Sequence, residues 1–143
     1  MPETIAIASD HAGFDLKQFL VEELTRLGCA PLDLGTHDRN SVDYPDFADA
    51  LAAAIGDGRA KRGVLICGTG IGIAIAANRH RHIRAGPCHD GTSARLTRQH
   101  NNANVLALGA RLIGTEVARD CLATFLATAF EGGRHERRVS KMS

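Results

Sequence analysis

One stretch of the chain combines a cysteine with a run of alternating glycines. Cys67 ends an apolar run, and Gly68, Gly70 and Gly72 follow it in the next five positions. Where a strand ends in a glycine loop that opens a helix, several backbone N–H groups point at one place and bind an anion. A thiol at the same rim has its thiolate form stabilised and can act as a base. The stretch therefore predicts chemistry that passes through an oxyanion.

This loop differs from the common phosphate-binding loops. Its glycines do not have the G-x-G-x-x-G spacing of dinucleotide sites, and no G-K-[ST] follows as in a P-loop. Ile73 stands where a cysteine phosphatase needs an arginine. The structural alternative is a tight turn whose glycines serve packing, with Cys67 as a buried core residue.

Further polar residues lie near the ends of other apolar runs. Asp10 and His11 follow the first run, where Asp10 could bind a ligand or cap the next helix. His11 offers a donor to an anion or a polarised oxygen. His100 lies in a polar run before the last strand, where a surface turn is the alternative. These side chains could complete a site around the cysteine.

Arginines in the second half of the chain could bind a phosphate. Arg134 and Arg138 are four positions apart and share one face if the tail is helical, and Arg111 could join them. A solvated charged tail is the alternative. No set of histidine, cysteine and carboxylate residues has the spacing of a metal site, so we expect no metal ion.

Apolar runs alternate with helical patterns along the chain. Strands are predicted over residues 4–8, 30–34, 64–66, 83–88 and 105–108, and helices over residues 16–27, 45–55, 73–77, 93–100 and 116–130. Five strand-then-helix units imply a parallel sheet with helices on both faces. The sequence therefore predicts one α/β domain over residues 1–143, a three-layer Rossmann-like fold with a five-stranded parallel sheet. Its crevice should lie at the carboxyl ends of the strands.

The overall composition excludes several classes of function. The net charge of +1 gives no field towards nucleic acid or a membrane surface, and we expect neither as a partner. No apolar run is long enough for a membrane span, and no signal peptide is recognisable. The four cysteines form no C-x-x-C pair, which favours a reduced, cytoplasmic protein.

Short motifs spread in order over nearly the whole chain resemble the ribose-5-phosphate isomerase B family. They are Ser9-Asp-His-Ala-Gly13, Asp43-Tyr-Pro45, Leu65-Ile-Cys-Gly-Thr-Gly-Ile-Gly72, Ala76-Ala-Asn78, Ser93-Ala94, Arg98-Gln-His-Asn101, Asn104-Val-Leu-Ala107 and Glu131-Gly-Gly-Arg-His135. The wider group includes allose- and galactose-6-phosphate isomerases. One branch carries a glutamate where this chain has Ile73, so the resemblance places the chain in the cysteine branch.

The resemblance implies a site that works without metal or cofactor. Cys67 would move a proton between C2 and C1 of an aldose phosphate, and His100 would assist ring opening. The backbone N–H groups of residues 68–72, helped by Thr69, would hold the enediolate oxygen. The implied substrate-binding residues are Asp10, His11, Tyr44, Gly68, Gly70, Ile71, Gly72, Asn101, Arg111, Arg134 and Arg138. The family builds its site at a dimer interface, so the resemblance also implies a homodimer or tetramer with a shared active site.

The expected activity is the interconversion of ribose 5-phosphate and ribulose 5-phosphate. This activity agrees with the glycine loop, because hydrogen-bond donors that are already in position can each stabilise an oxyanion by about 3 kcal/mol. One alternative is the same chemistry on allose or galactose 6-phosphate. A non-catalytic module that binds a phosphate or nucleotide is another, and a redox sensor built on Cys67 is a third.

Overall fold

The computed structural model describes residues 1–143 as five strands and six helices. The strands are β1 (Thr4–Ser9), β2 (Ala30–Asp33), β3 (Arg62–Cys67), β4 (Ala85–Pro87) and β5 (Val105–Gly109). The helices are α1 (Phe14–Arg26), α2 (Tyr44–Gly56), α3 (Ile71–Ala77), α4 (Gly91–Asn101), α5 (Thr115–Ala127) and α6 (Arg134–Ser140). All strand pairings are parallel, in the order β2-β1-β3-β5-β4. The predicted α/β fold with a five-stranded parallel sheet is confirmed.

Alternate residues of the central strands point into two separate cores. On one face, Ile5, Val64 and Leu106 pack with α1, α4 and α5. On the other face, Ala6 and Leu65 pack with α2 and α3. Because both faces of these strands are buried, the strands appear in the sequence as continuous apolar runs rather than as an alternating pattern.

The direction in which strands are added to the sheet reverses between β1 and β3. β2 lies on one side of this pair, whereas β5 and β4 extend the other side. The helices that follow the two strands therefore lie on opposite faces, which opens a crevice at the carboxyl ends of the strands. The register pairs Ser9 with Ile66 and Cys67 with Gly109, so the residues that follow β1, β3 and β5 meet at this edge.

Two predicted elements extend well beyond the observed ones, and local hydrogen bonding explains the difference. The last long helix ends at Ala127 instead of residue 130, because the chain turns to an extended conformation at Thr128, whose carbonyl accepts from the Arg98 side chain. β4 covers three residues instead of residues 83–88. Its ladder is short because the Arg84 amide donates to a side chain and Pro87 has no N–H. No helix is both long enough and apolar enough to cross a bilayer.

Candidate active site

The glycine loop after β3 lies directly on the backbone of β5. Gly70 has φ +78°, a left-handed conformation that suits glycine. A Cβ on Gly70 would lie 2.8 Å from the carbonyl carbon of Leu108, and a Cβ on Gly109 would lie 2.5 Å from the carbonyl oxygen of Thr69. Real side chains do not tolerate such distances. The two glycines therefore allow the loop and the strand to touch, which fixes the loop in place.

Cys67 is the last residue of β3, and only 4 % of it is exposed. Its Sγ accepts a hydrogen bond from the Gly70 amide at 3.2 Å. The sulfur therefore faces the glycine loop. The other three cysteines have no such donor from a glycine loop. Burial raises the pKa of Cys29, raises that of Cys88 to about 11 and raises that of Cys121 to about 12. Cys67 is the cysteine placed for chemistry.

Several amide groups of the loop have no partner in the chain. The amides of Gly70 and Ile71 donate to side chains of the loop itself. Those of Gly68, Thr69 and Gly72 donate to no group of the protein, as expected for a helix start that lacks a cap. These three amides are therefore free to donate to a ligand.

A pocket of about 330 Å³ opens beside the thiol at the crevice between β1 and β3. Its lining residues are Asp10, His11, Ala12, Tyr44, Cys67, Gly68, Thr69, Gly72 and Arg111. We call it the Cys67 pocket, and every lining residue except Ala12 belongs to the predicted site. A larger cavity of about 650 Å³ runs along β4 and α4 but contains no cysteine or histidine. The smaller pocket is the candidate site because it combines a thiol with unpaired amides.

Two residues that follow β1 bring defined polar atoms to the pocket. The Nδ1 atom of His11 accepts the Val42 amide at 3.1 Å. A neutral ring that accepts at Nδ1 carries its proton on Nε2, which makes His11 a donor to a ligand. Asp10 Oδ1 accepts the Gly13 amide at 3.1 Å, so this residue also caps the turn before α1. Its Oδ2 has no donor in the chain and remains available for a ligand hydroxyl.

Arg111 and Tyr44 close two sides of the pocket by packing over glycines. A Cβ on Gly68 would lie 3.2 Å from Nη1 of Arg111, and a Cβ on Gly72 would lie 2.7 Å from Cζ of Tyr44. Both side chains are exposed. They add a cation and a hydroxyl at the rim, where part of a ligand would meet solvent.

A second group of side chains lies where the end of α4 meets the start of α6. We call it the His100 cluster, which consists of the predicted residues His100, Arg134 and Arg138 together with Glu131 and His135. The predicted residue Asn101 instead lines the larger cavity along β4 and α4. The rings of His100 and His135 stack with 4.5 Å between centroids and 16° between planes. Arg134 and Arg138 lie one turn apart on α6, so the tail is helical, as their proposed clamp requires. Burial, and then the nearby charge of His100, lowers the pKa of His135.

Sequence reasoning missed two members of this cluster. Glu131 and His135 become neighbours of His100 through the fold, since the Glu131 amide donates to the carbonyl of Gln99 at 3.1 Å. More than thirty positions separate them from His100 in the chain. The motif at residues 131–135 contains both residues, but the sequence analysis predicts a role only for its arginine, Arg134.

The His100 cluster and the Cys67 pocket lie at opposite edges of the sheet. α4 leads into β5 at Val105, whereas Cys67 pairs with Gly109 at the other end of that strand. At about 3.3 Å per residue, the two ends of β5 lie roughly 13 Å apart. Within one chain, His100 therefore cannot touch a ligand that is held against Cys67.

Comparison with known proteins identifies the family of the chain. Residues 5–142 match the ribose/galactose isomerase family. The chain is 45% identical over 139 residues to ribose-5-phosphate isomerase B of Escherichia coli, covering 97% of this chain and 93% of that protein. It is also 45% identical over 141 residues to D-erythrulose-4-phosphate isomerase of Pectobacterium atrosepticum, covering 97% and 92%.

A solved structure gives the same result in three dimensions. Ribose 5-phosphate isomerase B of Thermotoga maritima superposes with a TM-score of 0.96 at 51% identity, covering 98% of this chain and 97% of that one. The likeness covers both the Cys67 pocket and the His100 cluster, since it runs over almost all of both chains. The chain belongs to the ribose/galactose isomerase family and is an aldose–ketose isomerase.

Proposed function

We propose that the protein interconverts ribose 5-phosphate and ribulose 5-phosphate through an enediolate, with Cys67 as the base. The observation that carries this proposal is the hydrogen bond from the Gly70 amide to Cys67 Sγ, beside three unpaired amides. A thiol that accepts a backbone hydrogen bond and donors for an oxyanion thus share one pocket. A non-catalytic binding module has no use for this pairing, and membership of an isomerase family also counts against it.

The proposed reaction starts from the open-chain aldehyde with its C2 facing the thiolate. Cys67 removes the C2 proton, the C–H electrons form a C1=C2 bond, and negative charge moves to the former carbonyl oxygen, O1. The amides of Gly68, Thr69 and Gly72 stabilise that oxygen. The O2 hydroxyl proton then passes to O1, and the thiol returns its proton to C1 while O2 becomes the carbonyl. Substrate and product have the same atoms, and no electrons leave the sugar.

Substrate binding uses the polar atoms around the thiol. In the proposed complex, His11 donates from Nε2 to a phosphate or sugar oxygen, because the Val42 amide occupies Nδ1. Asp10 accepts a sugar hydroxyl through its free oxygen, and Arg111 places a cation near the phosphate. Phosphate binding far from C1 and C2 orients the sugar and lowers the entropic cost of the chemical step.

A second copy of the chain completes the proposed site. Ring opening needs an acid–base group, and the predicted one, His100, lies roughly 13 Å or more from Cys67 within a chain. We therefore propose a homodimer in which each chain supplies His100, Arg134 and Arg138 to the partner's Cys67 pocket. Exposed apolar side chains beside the pocket support such an interface, since Ile71 is 50%, Ile75 65% and Leu112 54% exposed.

Mixing two inactive variants tests the shared site. Cys67→Ser and His100→Asn homodimers should each be almost inactive. A heterodimer contains one doubly defective site and one intact site, so a 1:1 mixture after subunit exchange should recover about one quarter of wild-type activity. Native mass spectrometry confirms that heterodimers have formed. Heterodimers without activity would contradict the shared site.

The size of the sugar is a separate question, because relatives of equal identity carry names for different substrates. Those of E. coli and P. atrosepticum are named for five-carbon and four-carbon phosphates, each at 45% identity. We propose ribose 5-phosphate, and kcat/KM for ribose 5-phosphate, D-erythrulose 4-phosphate and allose 6-phosphate, measured with EDTA present, tests it. A higher kcat/KM for either of the other sugars would refute ribose 5-phosphate as the preferred substrate and would leave the proposed mechanism unchanged. Binding of all three without turnover would support the non-catalytic module.

A further inference from the structure

We propose that His100, Glu131 and His135 form a binding site for a divalent transition metal ion, with Zn²⁺ as the ion that fits best. The ligand atoms of these three residues all lie within 4.8 Å of one another. Two imidazoles and one carboxylate form a ligand set that Zn²⁺ uses in proteins, and three protein ligands leave a fourth position for water or a ligand oxygen.

The backbone brings the three residues together before any ion arrives. The Glu131 amide donates to the carbonyl of Gln99 at 3.1 Å, directly beside His100 at the end of α4. The His135 amide donates to the carbonyl of Gly132 at 3.1 Å, which folds the chain back so that His135 Nε2 lies 3.5 Å from Glu131 Oε1. The fold therefore already restricts the backbone around the three ligands, so that ion binding costs less conformational entropy.

Closing the site needs only side-chain rotation. Ligand atoms around tetrahedral Zn²⁺ are about 3.3 Å apart, so the widest pair has to approach by about 1.5 Å at most. The side chain of Glu131 is 50% exposed and can move, whereas that of His135 is 9% exposed and held by packing. The two rings are nearly parallel, and a nitrogen lone pair lies in the plane of its own ring. One ring therefore has to tilt out of the stack before both can bind one ion.

The charges around the three ligands oppose a cation only in part. Arg134 and Arg138 repel a cation, but both are exposed and their field is screened by salt. The Glu131 carboxylate offsets one of these charges and is itself a ligand.

Bound Zn²⁺ inhibits the isomerase, a consequence that rests on the proposed function. A His100 ring held on the metal through a nitrogen cannot exchange a proton with the sugar ring. Zn²⁺ binding itself does not depend on the proposed reaction. Binding and inhibition are therefore measured separately.

Calorimetric titration of ZnCl₂ into metal-free protein, in a buffer that does not coordinate zinc, tests the site. Wild type should bind one ion per chain, and Glu131→Gln should raise Kd about tenfold or more. His80→Asn is the matched control, because His80 pairs with Asp49 away from this cluster. Equal affinity of wild type and Glu131→Gln, or a wild-type Kd weaker than about 1 mM, would overturn the proposal.

Turnover of ribose 5-phosphate provides the second readout. With EDTA, Glu131→Gln should match wild type, because Glu131 has no part in the proposed reaction, and this result also shows that the variant folds. With Zn²⁺, wild type should lose activity and regain it on chelation, whereas Glu131→Gln should resist. Zn²⁺ binding that depends on Glu131, together with no turnover in EDTA, would confirm the metal site and refute the proposed function.

Discussion

Replacing Gly70 by alanine tests whether the glycine loop depends on its contact with β5. Gly70 has φ +78°, and an alanine in this left-handed region costs about 1–2 kcal/mol. Its Cβ would lie 2.8 Å from the carbonyl carbon of Leu108 and 3.1 Å from the amide nitrogen of Gly109. Both atoms belong to a buried strand and cannot swing aside, so overpacking adds about 1–3 kcal/mol. We expect a total loss of about 2–5 kcal/mol in the free energy of unfolding.

Gly58 provides a control that separates the cost of a left-handed alanine from the cost of overpacking. It has φ +85°, and nothing lies within 4 Å of a Cβ built there. Gly58→Ala should therefore lose only the conformational cost of about 1–2 kcal/mol. At about 2–4 °C per kcal/mol for a chain of this size, Gly70→Ala should melt roughly 4–20 °C below wild type and clearly below Gly58→Ala. Differential scanning calorimetry measures both variants.

The same variants separate stability from activity. Displacing the loop withdraws the Gly70 amide from Cys67 Sγ, and a hydrogen bond to a charged group contributes about 1.5–3 kcal/mol. We expect kcat of Gly70→Ala to fall about 10–100-fold below the melting transition. Gly58 lies outside the site, and Gly58→Ala should keep the wild-type kcat. Equal melting temperatures and equal kcat for the two variants would refute the reasoning.

Three further outcomes are expected. Arg134→Ala should raise KM for ribose 5-phosphate about tenfold with little change in kcat, because the phosphate is remote from the reacting carbons; an unchanged KM in steady-state kinetics would exclude α6 from the phosphate site. Lys17→Met should lower the free energy of unfolding by about 3 kcal/mol in urea titrations, because the fully buried Lys17 Nζ lies 2.7 Å from Asp33 Oδ2, which would be left unpaired; a loss below about 1 kcal/mol would contradict this. The hydrogen bond from Arg62 lowers the pKa of Glu3 from its usual 4.5, so the carboxylate stabilises the fold above that pH and stops doing so as the pH falls through the lowered value. Glu3→Gln should therefore be less stable than wild type at pH 7 and equally stable in strong acid, and parallel stability curves would count against the ion pair.

The fold and the Cys67 pocket were predictable because both follow from local patterns. β1, β3 and β5 are buried on both faces and therefore appear as apolar runs. Pro45 lies in the first turn of α2, and Gly28 ends α1 with φ +84°, as predicted. Because parallel strands share one carboxyl edge, Asp10 and Cys67 had to meet once the fold was correct.

The rest of the site depends on tertiary placement, which the sequence pattern does not encode. α4 returns to the amino edge of the sheet, so His100 lies far from Cys67 although both belong to one predicted site. Its neighbours Glu131 and His135 come from beyond α5, where no regular spacing links them to His100. The roles of the site residues remain predictions, as does a cytoplasmic location, which rests on four free cysteines.

The most direct test of the central claim is the turnover of ribose 5-phosphate by Cys67→Ser beside wild type, in buffer with EDTA. Serine keeps the size of the side chain but lacks a thiolate, and a general base contributes about 10²–10⁴-fold to the rate. The account predicts that wild type forms ribulose 5-phosphate and that Cys67→Ser loses this factor in kcat at an unchanged melting temperature. A variant that retains near-wild-type kcat would show that Cys67 is not the base.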